Sequence, residues 1–215
     1  MTSKLLAVLL AVAPAASLAQ AQPSAERNTS WQLALRSGYS VPFGKSTDSS
    51  GDDLNKMVSG AVPLALEINY RITPDVYVGA FGRYGFGSLG EPLAAACTGG
   101  SCSASTLEIG LGAYYHFRPR DAVDPWLGLG VSYEQMTIKA SGAGGSADLT
   151  VAGFQFLDLQ LGFDYQASRL FAAGPFVSFA LGQYSKFDVP GNSGTISNTA
   201  LHGWFNVGMK LSLNP

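Results

Sequence analysis

Hydrophobic and polar residues alternate with a period of two along eight segments of the chain. In the first segment, Trp31–Tyr39, apolar side chains occupy mainly the odd positions, and polar or small side chains occupy the even ones. Successive side chains of a β-strand point to opposite faces of the sheet, so this period predicts strands that have one apolar face. The other seven segments are Leu64–Ile72, Val76–Phe86, Leu107–Phe117, Leu127–Glu134, Leu157–Tyr165, Phe171–Gly182 and Leu201–Leu213.

The charged residues of these segments lie on the face opposite to the apolar one. A soluble sandwich or barrel would turn its apolar face inward and leave the charges, together with many glycines, in contact with water. A lipid-facing surface instead carries no charge near the bilayer centre, where Arg or Lys costs about 2–4 kcal/mol. We therefore expect the apolar face to contact lipid and the other face to line the interior of a closed barrel. The inward charged residues are then Arg36, Glu67, Arg71, Arg83, Glu108, Glu134, Asp158, Asp164 and Lys210.

The connections between the predicted strands, and the aromatic residues at the strand ends, also favour a membrane barrel. Aromatic side chains cluster at both ends of the strands, for example Trp31 and Tyr70 at one end and Tyr84 and Tyr133 at the other, as in two interfacial girdles. Long and short connections alternate, which is typical of extracellular loops and periplasmic turns. The connections are, in order, Gly44–Gly60, Thr73–Asp75, Gly87–Ser105, Arg118–Pro125, Ala140–Val151, Ala167–Arg169 and Lys186–Asn198.

The first 30 residues have the features of an export signal. Lys4 precedes the apolar run Leu5–Leu18, and the small residues of Ala19-Gln20-Ala21 follow it. The run is shorter than the roughly 17–25 residues that a membrane-spanning helix needs. The sequence therefore predicts a cleaved secretory signal peptide over residues 1–21, a polar lead-in over 22–30 and a barrel domain over 31–215.

Taken together, these segments resemble the superfamily of small eight-stranded outer-membrane barrels, which includes the OmpA membrane domain, OmpX and OmpW. The resemblance covers Trp31 to the C-terminus and concerns architecture rather than a specific motif. It implies an all-β fold, an eight-stranded antiparallel up-and-down transmembrane β-barrel in the bacterial outer membrane, with both termini in the periplasm. It also implies contact with outer-membrane lipid, lipopolysaccharide and the insertion machinery. Such barrels usually end in an aromatic residue, whereas this chain ends in Leu213-Asn214-Pro215.

The inward charges form a candidate ion network in the lumen. An eight-stranded barrel has an interior about wide enough for side chains to fill, and charges buried there need partners. Five inward carboxylates face four inward cations, so we expect salt bridges that plug the lumen. We expect the protein to be a monomer with a structural or surface-recognition role. The expected clusters are Arg83, Glu108 and Glu134 in one, and Arg36, Glu67 and Lys210 in the other.

Two other functions remain open. A narrow pore or a conduit for hydrophobic small molecules, of the OmpW type, would use an apolar section of the lumen. Phe81, Phe154, Phe156, Phe176 and Trp204 would face inward and could line such a section. An adhesin, or another binder of an extracellular partner, would depend on the long loops alone.

No residue pattern indicates catalysis, a cofactor or a metal site. The two histidines are His116, which we expect to face the lumen, and His202. Asp188 and Ser197 precede His202 and could mimic a triad, but no spacing supports one. We therefore predict that the protein is not an enzyme and that it binds no cofactor.

The two cysteines of the chain, Cys97 and Cys102, lie in the second long loop. Two thiols without a neighbouring His or Asp are too few for a metal site. In an exported protein this pair predicts a disulfide.

Composition agrees with a protein that does not face water over its whole surface. Hydrophobic residues make up 47% of the chain and charged residues only 13%, against about a quarter in soluble domains. The formal net charge of -2 gives no electrostatic reason to expect a nucleic-acid partner.

Overall fold

The structure is a computed structural model that describes residues 31–48, 53–97, 100–142 and 145–214. The predicted signal peptide (1–21) and lead-in (22–30) lie outside the described residues. Among the residues that are described, no helix is both long enough and apolar enough to cross a bilayer.

The described chain folds into a closed antiparallel barrel. Its strands are β1 (Trp31–Gly44), β2 (Val58–Arg71), β3 (Val76–Leu89), β4 (Ser101–His116), β5 (Val123–Gly142), β6 (Gly145–Gln166), β7 (Phe171–Val189) and β9 (Leu201–Leu213). Each pairs with its neighbour in sequence, β7 also pairs with β9, and β9 pairs with β1 and closes the barrel. The predicted eight-stranded up-and-down β-barrel is confirmed.

Three further elements lie at one end of the barrel. They are the short strand β8 (Asn192–Thr195), which pairs with the end of β7, and the helices α1 (Leu54–Met57) and α2 (Glu91–Ala96). We call this end the long-loop end. At the opposite, short-turn end, the turns 72–75, 117–122 and 167–170 connect the strands.

The barrel wall exposes its apolar face and buries its charged one, as predicted. On β2, Leu66 is 65% exposed and the next residue, Glu67, is 2% exposed. On β4, Ile109 is 66% exposed and Glu108 is 4% exposed. An apolar surface that surrounds the molecule in this way is far larger than the patches found on soluble monomers, and it fits a lipid environment.

Some strands are longer at the long-loop end than the alternation predicts. The segment Ala140–Val151, which was expected to be a loop, largely continues β5 and β6 as a hairpin. The hydroxyl oxygens of Thr137 and Thr150 lie 3.1 Å apart across this hairpin. Both faces carry polar residues there, so the backbone ladder continues without the hydrophobic period that would reveal it.

A β-bulge in β6 corrects the predicted orientation of two phenylalanines. The register shifts between Gln155 and Leu157, where β6 contains one more residue than its neighbours. Phe154 and Phe156 are 51% and 45% exposed, whereas Gln155 is 1% exposed. The prediction that these phenylalanines line the lumen is therefore wrong, because the bulge inverts the side-chain alternation beyond it.

Candidate functional site

The lumen holds eight of the nine predicted charged residues in buried positions. Arg71 is the exception: it lies at the short-turn end of β2, is partly buried, and places its guanidinium 5.7 Å from the centre of the Tyr77 ring. The other predicted site residues fall into three groups along the barrel axis.

The central group is built around Arg83. Its Nη1 donates to Glu108 Oε2 at 2.9 Å, and its Nη2 donates to Asp158 Oδ2 at 3.0 Å. Glu108 is the direct cross-strand partner of Arg83, whereas Asp158 reaches it from β6. The guanidinium thus neutralises carboxylates of two different strands.

Arg36 and Glu67 form a second ion pair in the same region. Arg36 also donates to the side-chain oxygen of Gln160, whose Nε2 donates to Asp158 Oδ2 at 3.1 Å. Gln160 therefore links this pair to the Arg83 group.

Glu134 lies closer to the long-loop end and is not bonded to Arg83. Its carboxylate accepts hydrogen bonds from Trp204 Nε1 at 2.7 Å, from Gln155 Nε2 at 2.7 Å and from the Tyr184 hydroxyl at 3.1 Å. Nε2 of His202 lies 3.0 Å from the same carboxylate, and the His202 ring stacks on Tyr184 with a centroid distance of 3.8 Å. Glu134 is thus the common acceptor of an otherwise aromatic cluster.

The third group lies near the short-turn end. Asp164 accepts hydrogen bonds from Lys210 Nζ at 3.1 Å and from Trp126 Nε1 at 2.9 Å, and the ammonium lies 4.3 Å from the Trp126 ring centre. His116, the direct cross-strand partner of Trp126, belongs to the same region, and its Nδ1 lies 2.7 Å from Asp124 Oδ2. All five side chains are buried.

The structure groups Lys210 and Glu134 differently from the sequence prediction, and the strand register explains why. Arg36 and Lys210 are direct partners across β1 and β9, and Glu108 and Glu134 are direct partners across β4 and β5. Like charges placed opposite each other repel. Each member of these two pairs therefore bonds to a different group elsewhere in the lumen.

An apolar layer covers the Glu134 cluster on the side of the long-loop end. Leu54 of α1 and Val58 of β2 are fully buried there, and they belong to one hydrophobic cluster with Met136, Ile138 and Trp204. Alanines of three strands complete its wall: Ala61, Ala104 and Ala180.

One cavity lies within the central polar group, and another lies at the long-loop end. The one in the lumen, between Arg36, Arg83 and Phe176, has a volume of about 10 Å³, close to the minimum for one water molecule. The other is a groove of about 420 Å³ at the long-loop end, lined in part by Lys186 and Asp188 of β7.

Sequence reasoning missed the uncharged polar residues that connect the ion pairs. The single hydroxyl hydrogen of Ser132 is shared between two acceptors, Glu108 Oε1 at 2.8 Å and Gln155 Oε1 at 3.2 Å. Gln160 connects Arg36 to Asp158. Ser132 and Gln160 are polar residues at inward positions of the alternation, and this signal could have identified them. Gln155 gave no such signal, because the bulge in β6 places it on the inner face against the alternation.

The residues considered for catalysis are not assembled into a triad. His202 is buried against Glu134, whereas Asp188 and Ser197 are exposed. Within the described ranges, no three His, Cys, Asp or Glu side chains are placed to hold a metal ion.

The predicted disulfide is confirmed. It joins Cys97, at the end of α2, to Cys102, near the start of β4, with an S–S distance of 1.93 Å.

Comparisons with known proteins agree with this architecture. The family model "Outer membrane protein beta-barrel domain" matches residues 5–168. A search of curated proteins gives no match. The crystal structure of Neisserial surface protein A is similar at 13% sequence identity and a TM-score of 0.53, over 85% of this chain and 96% of that one. The solid-state NMR structure of the outer membrane protein AlkL in DMPC bilayers is similar at 13% identity and a TM-score of 0.51, over 89% of this chain and 93% of that one. These structural likenesses concern the fold, whereas the family match extends over most of the chain. The protein belongs to the outer membrane protein β-barrel family.

Proposed function

We propose that the protein is a sealed outer-membrane barrel with a structural or surface-recognition role. In this proposal, the short-turn end and both termini lie in the periplasm, and the long-loop end lies at the cell surface. The barrel is a monomer that contacts outer-membrane lipid and lipopolysaccharide through its apolar belt. The observation that carries the proposal is the continuous side-chain network inside the lumen.

One hydrogen-bonded network connects the central ion pairs to the Glu134 cluster, whereas the Lys210–Asp164 group lies beside it as a separate group. Amide and hydroxyl side chains join the ion pairs of this network, and every residue in it is buried. The order of the bonded residues is Glu67, Arg36, Gln160, Asp158, Arg83, Glu108, Ser132, Gln155 and Glu134. Opening a water path would separate buried ion pairs, and an unpaired buried charge costs about 3–5 kcal/mol.

The apolar layer formed by α1 and the strands at the long-loop end supports the same function. Leu54 and Val58 fill the barrel above Glu134, and a hydrated ion would have to cross this layer after the polar network. Transfer of a charge into such surroundings is strongly unfavourable. Two barriers of different chemistry therefore lie in series.

Planar-bilayer recording of the purified protein tests the seal. We expect no stable, large conductance steps from preparations whose heat-modifiable gel migration shows a folded barrel. Stable steps from the wild-type protein would show that ions pass the lumen and would refute the proposal.

The groove at the long-loop end supports the surface-recognition role. It is lined by the charged residues Lys186 and Asp188 and by the hydroxyl residues Thr150, Ser193 and Thr195. Charged and hydroxyl groups on a rigid strand framework offer specific hydrogen bonds to a polar partner. Cell-binding assays with Lys186→Ala and Asp188→Ala should show reduced binding if this groove recognises an extracellular partner, and unchanged binding would exclude the groove.

A conduit for hydrophobic small molecules is the second candidate, and the apolar layer is the observation that favours it. Were α1 to move, the space now filled by Leu54 would open as an apolar chamber beside Trp204. Saturable quenching of tryptophan fluorescence by a brominated hydrocarbon in detergent-solubilised protein, and its loss in Leu54→Trp, would favour the conduit. A sealed barrel predicts no saturable quenching.

A further inference from the structure

Outside the lumen, lysine and arginine side chains lie at opposite ends of the barrel. In the described part of the chain, the lysines outside the lumen all lie towards the long-loop end, at Lys45, Lys56, Lys139 and Lys186. The short-turn end carries arginines instead. Three of them are exposed on two turns, and we call them the arginine rim: Arg118, Arg120 and Arg169.

The protein itself neutralises the charge of the arginine rim only in part. Among the described residues, no salt bridge includes a rim side chain, whereas Arg36, Arg83 and Lys210 are each paired with a carboxylate in the lumen. The acids of the three short turns are Asp75 and Asp121, so three rim charges face two acids. The rim thus offers guanidinium groups to an external anion.

Backbone hydrogen bonds order the turns that carry the rim. The amide N–H of Arg118 donates to Asp124 Oδ1 at 3.0 Å, and the Ser168 hydroxyl oxygen accepts from the amides of Leu170 and Phe171 at 3.2 Å and 3.1 Å. The amide of Gln166 donates to the Ala122 carbonyl at 2.9 Å and joins the two turns. The three arginines therefore extend from one structured surface on one side of the barrel.

Exposed aromatic residues fix the depth of the rim relative to a bilayer. Phe117, immediately before Arg118, is 56% exposed, and Tyr165 and Phe171 on either side of the second turn are 50% and 47% exposed. Aromatic girdles lie at the headgroup level of a membrane. Each rim arginine lies within four residues of one of these aromatics, and each residue of extended chain spans about 3.3 Å. The guanidinium groups therefore lie at the level of the lipid phosphates.

We propose that the arginine rim binds the phosphate groups of glycerophospholipids in the leaflet at the short-turn end, and that it prefers anionic phosphatidylglycerol to zwitterionic phosphatidylcholine. A guanidinium binds a phosphate through two parallel hydrogen bonds, which an ammonium cannot do. Phosphatidylglycerol has no headgroup cation that competes with the rim for its phosphate. The inference does not depend on whether the lumen conducts, and it requires only that the barrel crosses a bilayer.

Native mass spectrometry of the barrel, released from vesicles of equal phosphatidylglycerol and phosphatidylcholine, tests the proposal. The test variant is Arg118→Gln/Arg120→Gln/Arg169→Gln, and the matched control is Lys45→Gln/Lys56→Gln/Lys139→Gln, which removes the same charge from the other end. We expect the rim variant to lower the ratio of bound phosphatidylglycerol to phosphatidylcholine by roughly tenfold, since each basic residue at an anionic surface contributes strongly. The lysine variant should keep the wild-type ratio.

An unchanged ratio in the rim variant, or an equal fall in the lysine variant, would overturn the proposal. Heat-modifiable migration reports whether each variant has folded. If the triple variant does not fold, Arg169→Gln alone must still lower the ratio. The wild-type ratio must also fall when salt is raised to about 0.5 M, because the attraction is electrostatic. A salt-independent ratio would contradict it.

Discussion

Removing the guanidinium of Arg83 tests whether the lumen network is sealed from water. Arg83 is 8% exposed, and its two carboxylate partners, Glu108 and Asp158, are 4% and 0% exposed. The substitution Arg83→Met keeps the length and much of the volume of the side chain. It leaves two buried carboxylates without the cation that lies 2.9 Å and 3.0 Å from them.

The expected cost follows from the number of charges left unpaired. Breaking a buried ion pair by removing one partner costs about 3–5 kcal/mol, because the remaining charge stays desolvated. The further changes Glu108→Gln and Asp158→Asn remove both orphan charges and keep hydrogen-bonding groups for the neighbouring Ser132 and Gln160. We therefore expect the triple variant to recover most of the loss, to within about 1–2 kcal/mol of the wild type.

Urea unfolding of the barrel in lipid bilayers, followed by heat-modifiable migration and tryptophan fluorescence, measures these free energies. Lys139→Met is the matched control, because this exposed lysine at the long-loop end should change stability by no more than about 0.5 kcal/mol. A loss for Arg83→Met as small as that of the control would mean that water already solvates Glu108 and Asp158. The sealed-lumen argument would then fail.

Three further changes, the last with its own control substitution, test other parts of the structure. Glu134→Ala should lower the free energy of unfolding by at least about 3 kcal/mol and weaken the near-UV circular dichroism of the aromatic cluster, because four neighbouring donors lose their acceptor. Reduction of the Cys97–Cys102 disulfide should lower it by at most about 2 kcal/mol in urea titrations, since the closed loop spans a sequence separation of only 5. Gly162→Ala should cost about 1–3 kcal/mol in the same titrations, because the new methyl group would lie 2.5 Å from a buried tryptophan ring. Gly82→Ala, on the outer face with no neighbour closer than 4.0 Å, should be tolerated.

The strands and the orientation of the barrel wall could be predicted from the sequence because the bilayer imposes a strict alternation. Every second residue of a membrane-crossing strand contacts lipid, so Leu66 and Ile109 reveal the outer face, and Glu67 and Glu108 the inner one. Where a strand extends beyond the bilayer, its outer face contacts water, and the alternation of apolar and polar residues is no longer required. This explains why the sequence predicts a loop over Ala140–Val151, where the structure has a polar hairpin.

The bulge in β6 shows where the alternation stops being informative. One extra residue reverses the faces of a strand, and the sequence marks it by a change in the phase of the alternation over Ala152–Phe156. The bulge exposes both phenylalanines and buries Gln155, which then bridges Ser132 to Glu134. The sequence therefore indicates an irregularity at Gln155, but not that this amide joins the polar network.

Neighbouring strands correctly predict the Arg83–Glu108 and Arg36–Glu67 pairs, but not the partners of Lys210 and Glu134, whose direct neighbours carry charge of the same sign. Arg36 lies opposite Lys210, and Glu108 lies opposite Glu134, so adjacent side chains cannot neutralise one another. Lys210 bonds instead to Asp164 of β6, at 3.1 Å.

The like-charge register has a consequence for how the barrel closes. β1 and β9, the two ends of the sheet, meet at a repulsive pair of cations, yet each of these cations is anchored to a different part of the wall. Arg36 is held by Glu67 of β2, whereas Lys210 is held by Asp164 of β6. Glu67 lies on the strand next to β1, and Asp164 lies on β6, which pairs with β7, the neighbour of β9. Each cation therefore has its carboxylate on its own side of the β1–β9 seam. Closing the barrel brings together two cations that are already paired, which reduces the repulsion between them.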